Sequence, residues 1–151
     1  MKTLWLQNRI LNYMFGKTAY NPPNTYKIAL WKSLTEGDNF LAQDKDNNPI
    51  LPTDGEMQTT INSEPTGYNR IEVDNNTTTF GSDTTNGKRT FVIPIQFDVA
   101  TQQWVDIKYI VIFEGSGEER PLFYQQFNTP ITINIDEYLL FPAGSIIFDE
   151  F

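Results

Sequence analysis

The sequence predicts an all-β fold, an antiparallel β-sandwich of the immunoglobulin-like or jelly-roll-like kind, with one short α-helix at its amino end. Two observations lead to this prediction. Short apolar segments recur at close spacing, with turns rich in glycine, proline and asparagine between them. Only the opening stretch has its apolar residues at helical spacing. Because the chain has 151 residues, enough for one core, we expect a single domain over residues 1–151.

The first element is a helix predicted over residues 4–15, within an amino-terminal segment of residues 1–16. Leu6, Ile10 and Met14 lie on one face of it. Gly16 suits the left-handed conformation that ends many helices, and the prolines at 22 and 23 cannot continue one. An amphipathic helix must bury its apolar face, either on its own sandwich or on a neighbouring molecule. The sequence leaves both possibilities open.

The β-sandwich is predicted over residues 24–151. A nearly continuous apolar run at 110–113 indicates a strand buried on both faces, and the glycine-rich turn at 115–117 is typical of a hairpin. Pro94 cannot donate a ladder hydrogen bond, so it predicts an edge strand or a bulge. Residues 75–87 have the composition of a turn. The expected strands are 25–32, 68–73, 91–97, 104–113, 121–127, 131–135, 139–141 and 146–148.

Residues 33–66 are predicted to form a long surface excursion, because they combine glycine, proline, asparagine and aspartate without a sustained periodicity. A loop of this length inside a compact domain is often functional. The excursion also contains apolar side chains with which it can pack against a surface. Among them are Phe40, Leu41, Ile50 and Leu51.

The composition restricts the chemistry that is available. The chain has no histidine and no cysteine, which excludes a histidine base, thiolate chemistry, disulfides and the usual zinc sites. The formal charge of −8 opposes binding to nucleic acid or to an anionic membrane. The mean hydropathy of −0.41 and the lack of a long apolar run predict no membrane span, and we expect no exported leader. No cofactor is expected.

Three weaker patterns in the sequence have ordinary structural explanations. Residues 44–48 carry oxygen ligands at the first, third and fifth positions of a calcium-binding loop. Pro49 and Gly55 break the rest of that pattern, so we interpret the segment as an ordinary polar turn. Carboxylates that could act as a glycosidase pair are interpreted as solvated surface charges. Aromatic residues that could stack on sugars are interpreted as core residues. The carboxylates are Glu114, Glu118, Glu119, Asp136, Glu137, Asp149 and Glu150, and the aromatic residues are Tyr68, Trp104, Tyr109, Tyr124 and Tyr138.

Three groups of motifs follow one another in a distinctive order. The first is the turn over residues 15–23, followed by Tyr26-Lys-Ile-Ala-Leu30, and the second is Gly67-Tyr-Asn-Arg70. The third is the series at 104–107, 110–113, 122–124 and 129–130 that closes with Phe141-Pro-Ala-Gly144. Together they resemble a family of small tailed-bacteriophage virion proteins often labelled "phage tail fibre protein". The chain departs from that family's pattern at Lys17, at Asn21 and at residues 135–137.

The resemblance implies a helix that leads through a proline turn into an all-β domain, and a non-enzymatic structural role in the virion. We expect first a capsid decoration or cement protein, because such a protein needs a compact domain, an arm that lies across neighbours and no chemistry. No coiled-coil stalk or repeat typical of a fibre is found. A tail-fibre or baseplate attachment module is the alternative, and a host-glycan-binding adhesin is the third possibility.

These expectations extend to partners and contact residues. The partners would be the major capsid protein or tail components, together with copies of the same chain, in a virion assembled in the host cytoplasm. No nucleic acid, membrane or small-molecule substrate is expected. Subunit contacts are predicted at Leu6, Ile10 and Met14 on the helix and at Phe40, Leu41, Ile50 and Leu51 in the excursion.

Overall fold

The structure is a computed structural model, which describes residues 2–17, 19–32, 55–81, 88–117 and 119–149. Most of its regular structure is β, and a helix precedes the first strand. The elements are α1 (Leu4–Met14), β1 (Thr25–Trp31), β2 (Thr60–Ile61), β3 (Glu64–Pro65), β4 (Ile71–Asp74), α2 (Thr77–Phe80), β5 (Lys88–Thr90), β6 (Ile95–Gln96), β7 (Trp104–Glu114), β8 (Pro121–Ile133), β9 (Leu140–Phe141) and β10 (Ile147–Asp149).

A four-stranded antiparallel sheet in the order β4-β1-β7-β8 forms the centre of the fold. Within it, Ile28 of β1 pairs with Ile112 of β7 on one side and with Ile71 of β4 on the other. Three antiparallel pairs of short strands complete the β structure: β2 with β3, β5 with β10, and β6 with β9. The predicted antiparallel, sandwich-like fold with one amino-terminal helix is confirmed.

Both faces of the central sheet are buried. One face carries the main core, in which the Tyr68 ring stacks on Phe97 at 6.0 Å and meets Trp104 edge-on at 5.8 Å. The other face carries a smaller cluster that includes Trp31 and Phe113. Successive residues of a strand point to opposite faces, so residues 110–113 of β7 are all buried, as their apolar run predicted.

Several predicted elements differ from the observed ones. The predicted strand over 91–97 is mostly absent: Phe91, Ile95 and Phe97 are buried and Ile93 is half-buried, but only Ile95–Gln96 forms a strand, directly after Pro94. The predicted strands at 121–127 and 131–135 are largely one strand, β8, which ends at Ile133. The expectation for Ile135 was wrong, because this residue lies in the following turn and is 57% exposed. Short-range alternation therefore located buried side chains better than it located strand ends.

The two segments predicted to be irregular contain local structure. Residues 60–65, in the second half of the expected excursion, form the hairpin of β2 and β3, with Asn62 and Ser63 at positive φ in its turn. The turn expected over residues 75–87 contains α2, which is capped by Asn76 through hydrogen bonds from the backbone of Thr78 and Thr79. Both elements are too short to produce a periodic signal.

Candidate interaction surface

The amino-terminal arm, residues 2–17, begins beside the edge strand β8, which it joins through one isolated β-bridge. Lys2 forms an antiparallel bridge with Phe123, and the Thr3 amide donates to the carbonyl of Leu122 at 2.9 Å. The Thr3 hydroxyl donates to the carbonyl of Pro121 at 2.8 Å and accepts from the amide of Leu6 at 3.3 Å. Thr3 is therefore both the helix N-cap and an anchor of the helix to the sheet.

The first half of α1 packs against the same strand. Trp5 and Leu6 are 4% and 3% exposed, and they form a small apolar cluster with Leu122. The guanidinium groups of Arg9 and Arg120 lie 5.3 and 5.0 Å from the centre of the Trp5 ring, within the range of cation–π attraction. This half of the helix is thus docked on its own domain.

The second half of α1 projects from the domain with its apolar side chains in solvent. Leu11, Tyr13, Met14 and Phe15 are 49%, 60%, 69% and 73% exposed. The helix end is well formed, because Gly16 takes φ +67 and the Lys17 amide donates to the carbonyl of Asn12 at 2.8 Å. An ordered helix end that leaves four large apolar side chains exposed is a candidate protein-binding surface.

The predicted contact residues are distributed as follows. Leu6 is covered by its own chain, Ile10 is half-buried against the Trp5 cluster, and Met14 is exposed. The sequence predicted one continuous apolar face, but its first part packs on the protein's own sheet and its last part is exposed to solvent. The four predicted contacts of the excursion lie outside the described residues; they are Phe40, Leu41, Ile50 and Leu51.

A charged cluster that sequence analysis did not single out as a site lies around Arg70. Its guanidinium makes two hydrogen bonds of 2.8 Å with the Glu56 carboxylate and one of 3.0 Å with Glu119. Glu119 also contacts the ammonium group of Lys27. The guanidinium lies 4.2 Å from the centre of the Phe113 ring. The cluster ties two segments and a hairpin to β1, so its geometry is that of a structural clamp.

Tyr68 connects this cluster to the core. Its hydroxyl donates to Glu56 at 2.8 Å and accepts from the amide of Leu30 at 3.0 Å. Burial, followed by the charge of Glu56, raises the pKa of Tyr68 far above its ordinary value. For Arg70, burial by itself lowers the pKa, but the hydrogen bond and charge of Glu56 outweigh it, so the pKa is raised. Both groups therefore keep one protonation state across the physiological range.

The sequence did contain a signal for this cluster, in the motif Gly67-Tyr-Asn-Arg70. Gly67 has φ +80, and a Cβ added there would lie 2.2 Å from the carbonyl oxygen of Val99. Only glycine fits such a close approach, at the residue directly before Tyr68. The partners Glu56 and Glu119 lie 14 and 49 residues away from Arg70 along the chain, so the motif alone could not reveal them.

The other candidate residues follow the simpler explanations only in part, because Tyr138 is not a core residue and Glu119 is paired in the Arg70 cluster and is not a simple solvated charge. Tyr68, Trp104 and Tyr124 are buried, whereas Tyr138 is 50% exposed. Glu137 lies in a turn and accepts from the backbone and side chain of Asn134. Among the described residues, no three acidic side chains are grouped closely enough to hold a metal ion. The calcium-like segment 44–48 lies outside them.

No helix in the described part of the chain has the length and apolar character to cross a membrane.

A known protein family matches most of the β part of this chain. The family model described as "Podophage GP4 fiber I protein gp80" matches residues 50–149, about two thirds of the sequence. The chain belongs to this family. It is accordingly a structural protein of the bacteriophage virion, of the tail-fibre type of family that the resemblance indicated. A comparison with curated proteins finds no match.

The matched range includes the clamp residues Glu56, Arg70 and Glu119 and every strand from β2 to β10. It begins after the arm and after β1. The helix and the proline turn, the first of the motif groups that carry the resemblance, therefore lie outside the family match. The arm with its exposed apolar helix end therefore also lies outside the residues that the family model covers.

Proposed function

We propose that the protein is a non-enzymatic subunit of a podophage fibre, held to neighbouring subunits of the virion, copies of the same chain among them, through the exposed end of its arm. The observation that carries this proposal is the family match over residues 50–149. The family match favours the tail-fibre role, which the sequence suggested as an alternative, over the capsid decoration role that the sequence suggested first. No feature of the described residues favours the head over the tail.

A purely structural role agrees with the chemistry of the chain. Histidine and cysteine are absent from the sequence, and the carboxylates of Glu56 and Glu119 are held by Arg70 and Lys27. A general acid or base needs a carboxyl group whose proton is free to move at working pH. Here Glu56 pairs with Arg70, and Glu119 pairs with both Arg70 and Lys27, so these carboxylates link parts of the fold.

The arm offers the surface for attachment. Protein interfaces are enriched in aromatic residues and methionine at their centres, and Tyr13, Met14 and Phe15 present these side chains on an ordered helix end. The docked first half, with Trp5 and Leu6 buried, holds the exposed half in one orientation. Such preorganisation reduces the entropic cost of binding a neighbour.

Localisation on the particle tests the proposal. Virions labelled with gold-conjugated antibody against this protein should carry gold at the tail fibres, and particles assembled without the protein should lack that density in electron micrographs. Gold distributed over the capsid shell, together with reduced heat resistance of shells that lack the protein, would overturn the fibre assignment in favour of capsid decoration.

A further inference from the structure

The charges of this protein are unevenly distributed along the chain. Residues 1–24 contain Lys2, Arg9 and Lys17 and no acidic residue. Of the chain's 11 basic and 19 acidic residues, eight basic and all nineteen acidic ones follow, so residues 25–151 carry a formal charge of −11. A basic arm on an acidic body is electrostatically complementary to the body of another copy.

The exposed part of the arm combines apolar and basic character. We name the side chains of Leu11, Tyr13, Met14, Phe15 and Lys17 the arm tip. The four apolar members are between 49% and 73% exposed, and Lys17 is exposed beside them. A surface of this kind fits a partner that presents apolar side chains surrounded by negative charge.

A surface with that character exists on the same protein. We name it the acidic end, and its apolar members Val99, Ile135 and Tyr138 are 46%, 57% and 50% exposed. Backbone hydrogen bonds between residues 97–100 and 136–139 hold these side chains in one region, at donor–acceptor distances of 2.8 to 2.9 Å. Its acidic members, all exposed, are Asp98, Asp136 and Glu137.

The acidic end has no nearby positive charge from its own segments. Neither residues 90–107 nor residues 121–151 contain a lysine or an arginine. Its geometry is fixed as well, because the Glu137 carboxylate accepts 2.8 and 3.1 Å hydrogen bonds from Asn134 and stabilises the turn. A rigid acidic surface with exposed apolar side chains is thus available for a basic apolar partner.

The two surfaces lie at opposite ends of the central sheet. The arm docks at Pro121–Phe123, where β8 begins and β7 ends. The acidic end follows Ile133, which pairs with Trp104 at the other end of β7. An eleven-residue strand spans roughly 35 Å at about 3.4 Å per residue, so the arm tip of a chain is remote from its own acidic end.

We propose that the arm tip of one copy docks on the acidic end of a second copy, so that the protein associates head to tail. Such an interface is heterologous, because two different surfaces meet, and repetition of it produces a ring or an open filament. The inference goes beyond membership of a fibre, and it is tested on the purified protein without virions. Either proposal can therefore fail while the other stands.

An anionic membrane is the competing partner for a basic apolar helix end. The charge of the rest of the chain argues against a membrane. The three positive charges of residues 1–24 could not approach a negative lipid surface without bringing the −11 charge of residues 25–151 near it, and that charge would be repelled. The same body is the feature that attracts the arm of another copy. The observations therefore favour a second copy of this chain over a lipid surface.

Sedimentation velocity across a range of concentrations tests the association. At low salt the weight-average mass should rise with concentration above the monomer mass of 17.4 kDa. Because charge complementarity contributes, raising the salt from 50 to 500 mM should weaken association by about tenfold. Phe15→Asp or Met14→Asp should abolish it, whereas Val92→Asp, at a residue 47% exposed elsewhere, should leave it unchanged.

Mixing two variants distinguishes a head-to-tail contact from a symmetric one. Phe15→Asp inactivates only the arm tip, and Tyr138→Asp inactivates only the acidic end. Each variant alone should be a monomer, and an equal mixture should form a dimer of about 35 kDa, twice the chain mass, that does not extend. Asp136→Asn, which keeps a residue tolerant of the positive φ at this position, should weaken association without disturbing the turn.

The outcomes that overturn the proposal are specific. A monomer at every concentration at low salt would overturn it, and co-sedimentation of that monomer with phosphatidylserine vesicles would assign the arm tip to a membrane. Dimerisation of either variant on its own would instead indicate a symmetric contact between two identical surfaces. Far-ultraviolet circular dichroism of each variant shows whether a loss of association reflects a loss of folding.

Discussion

Arg70 joins several distant parts of the chain through one side chain. Its three hydrogen bonds to Glu56 and Glu119 span 14 and 49 residues of sequence, and its guanidinium rests on the Phe113 ring. Glu119 adopts a positive φ of 49°, an unfavourable conformation for this residue type. The position of the Glu119 carboxylate between Arg70 and Lys27 compensates that conformational cost.

Replacing Arg70 by methionine should lower the free energy of unfolding by about 2 kcal/mol, because Glu56 would lose its cation and Glu119 would keep only Lys27. Urea denaturation of the purified protein measures the change. The matched control is Lys108→Met, which removes a pair with Asp106 whose side chains are 35% and 54% exposed. That pair is largely solvated, so its loss should change stability by less than about 1 kcal/mol. Equal effects of the two substitutions would contradict the clamp role of Arg70.

The turn between β2 and β3 contains backbone strain at residues with positive φ. Asn62 and Ser63 both have positive φ, at 52° and 67°, as the two central residues of a tight hairpin turn. Asparagine tolerates this conformation, but serine is less suited to it than glycine. Ser63→Gly should therefore stabilise the protein by about 0.5 to 1 kcal/mol, visible as a rise in the thermal midpoint. A neutral or destabilising result would contradict the assigned turn geometry.

Among the elements, α1 is divided in its function. Its first turns are anchored by Thr3, Trp5 and Leu6, and its last turn is exposed from Leu11 to Phe15. The segment that connects it to β1 packs back on the same cluster through Tyr20. Burial, followed by the charges of Tyr26 and Glu114, raises the pKa of Tyr20 from 10.0 to about 12.

This shift predicts a dependence of arm docking on alkaline pH. The folded pKa of Tyr20 lies above its unfolded value, so its contribution to stability is present in full below pH 10 and is lost as the pH rises towards 12. Denaturation measured at steps from pH 8 to 12 should show falling stability, and the difference in tryptophan emission between the parent protein and Trp5→Phe should report undocking of the arm.

Tyr20→Phe removes the ionisable group and should flatten part of this dependence. The remaining slope would belong to the other tyrosines whose pKa values are raised, among them Tyr26 and Tyr68. If the variant and the parent protein lose stability identically between pH 10 and 12, then Tyr20 does not contribute to docking as described.

At the scale of the whole molecule, the last strand closes the core. Phe148 of β10 lies between the rings of Phe80, Phe91 and Phe123, at centroid distances of 5.1 to 5.7 Å. These rings come from α2, from the segment before β6 and from β8. A single side chain near the carboxyl end therefore contacts the middle and the later part of the chain.

Phe148→Ala should destabilise the protein by about 3 kcal/mol, within the range for large aromatic residues packed in cores. The neighbouring residue is a matched control, because Ile147 is 56% exposed and Ile147→Ala should change stability by less than about 0.5 kcal/mol. Chemical denaturation of both variants measures the difference. A loss at position 147 as large as that at 148 would show that β10 is held by its strand pairing and not by the Phe148 ring.

The predictions from sequence succeeded where the signal is local. Apolar spacing placed α1 and the strand from Trp104, and Gly16 marked the end of the helix at φ +67. The alternating residues Phe91, Ile93, Ile95 and Phe97 are buried or half-buried, although the strand there has only two residues. Pairing partners in a sheet are distant in sequence, so the length of β8 and the brief hairpin of β2 and β3 had no comparable signal.

For the candidate surface, the sequence by itself determined that an amphipathic helix precedes an all-β domain that lacks histidine and cysteine. Only the tertiary structure decided that Leu6 is buried on Leu122 while Met14 remains in solvent, and that Arg70 meets Glu56 and Glu119. Periodicity defines a helix face because it depends on residues within a few positions of each other. How much of that face is covered depends on how the helix docks beside the first residues of β8. That docking is set by contacts between residues more than one hundred positions apart, such as the hydrogen bond from Thr3 to Pro121.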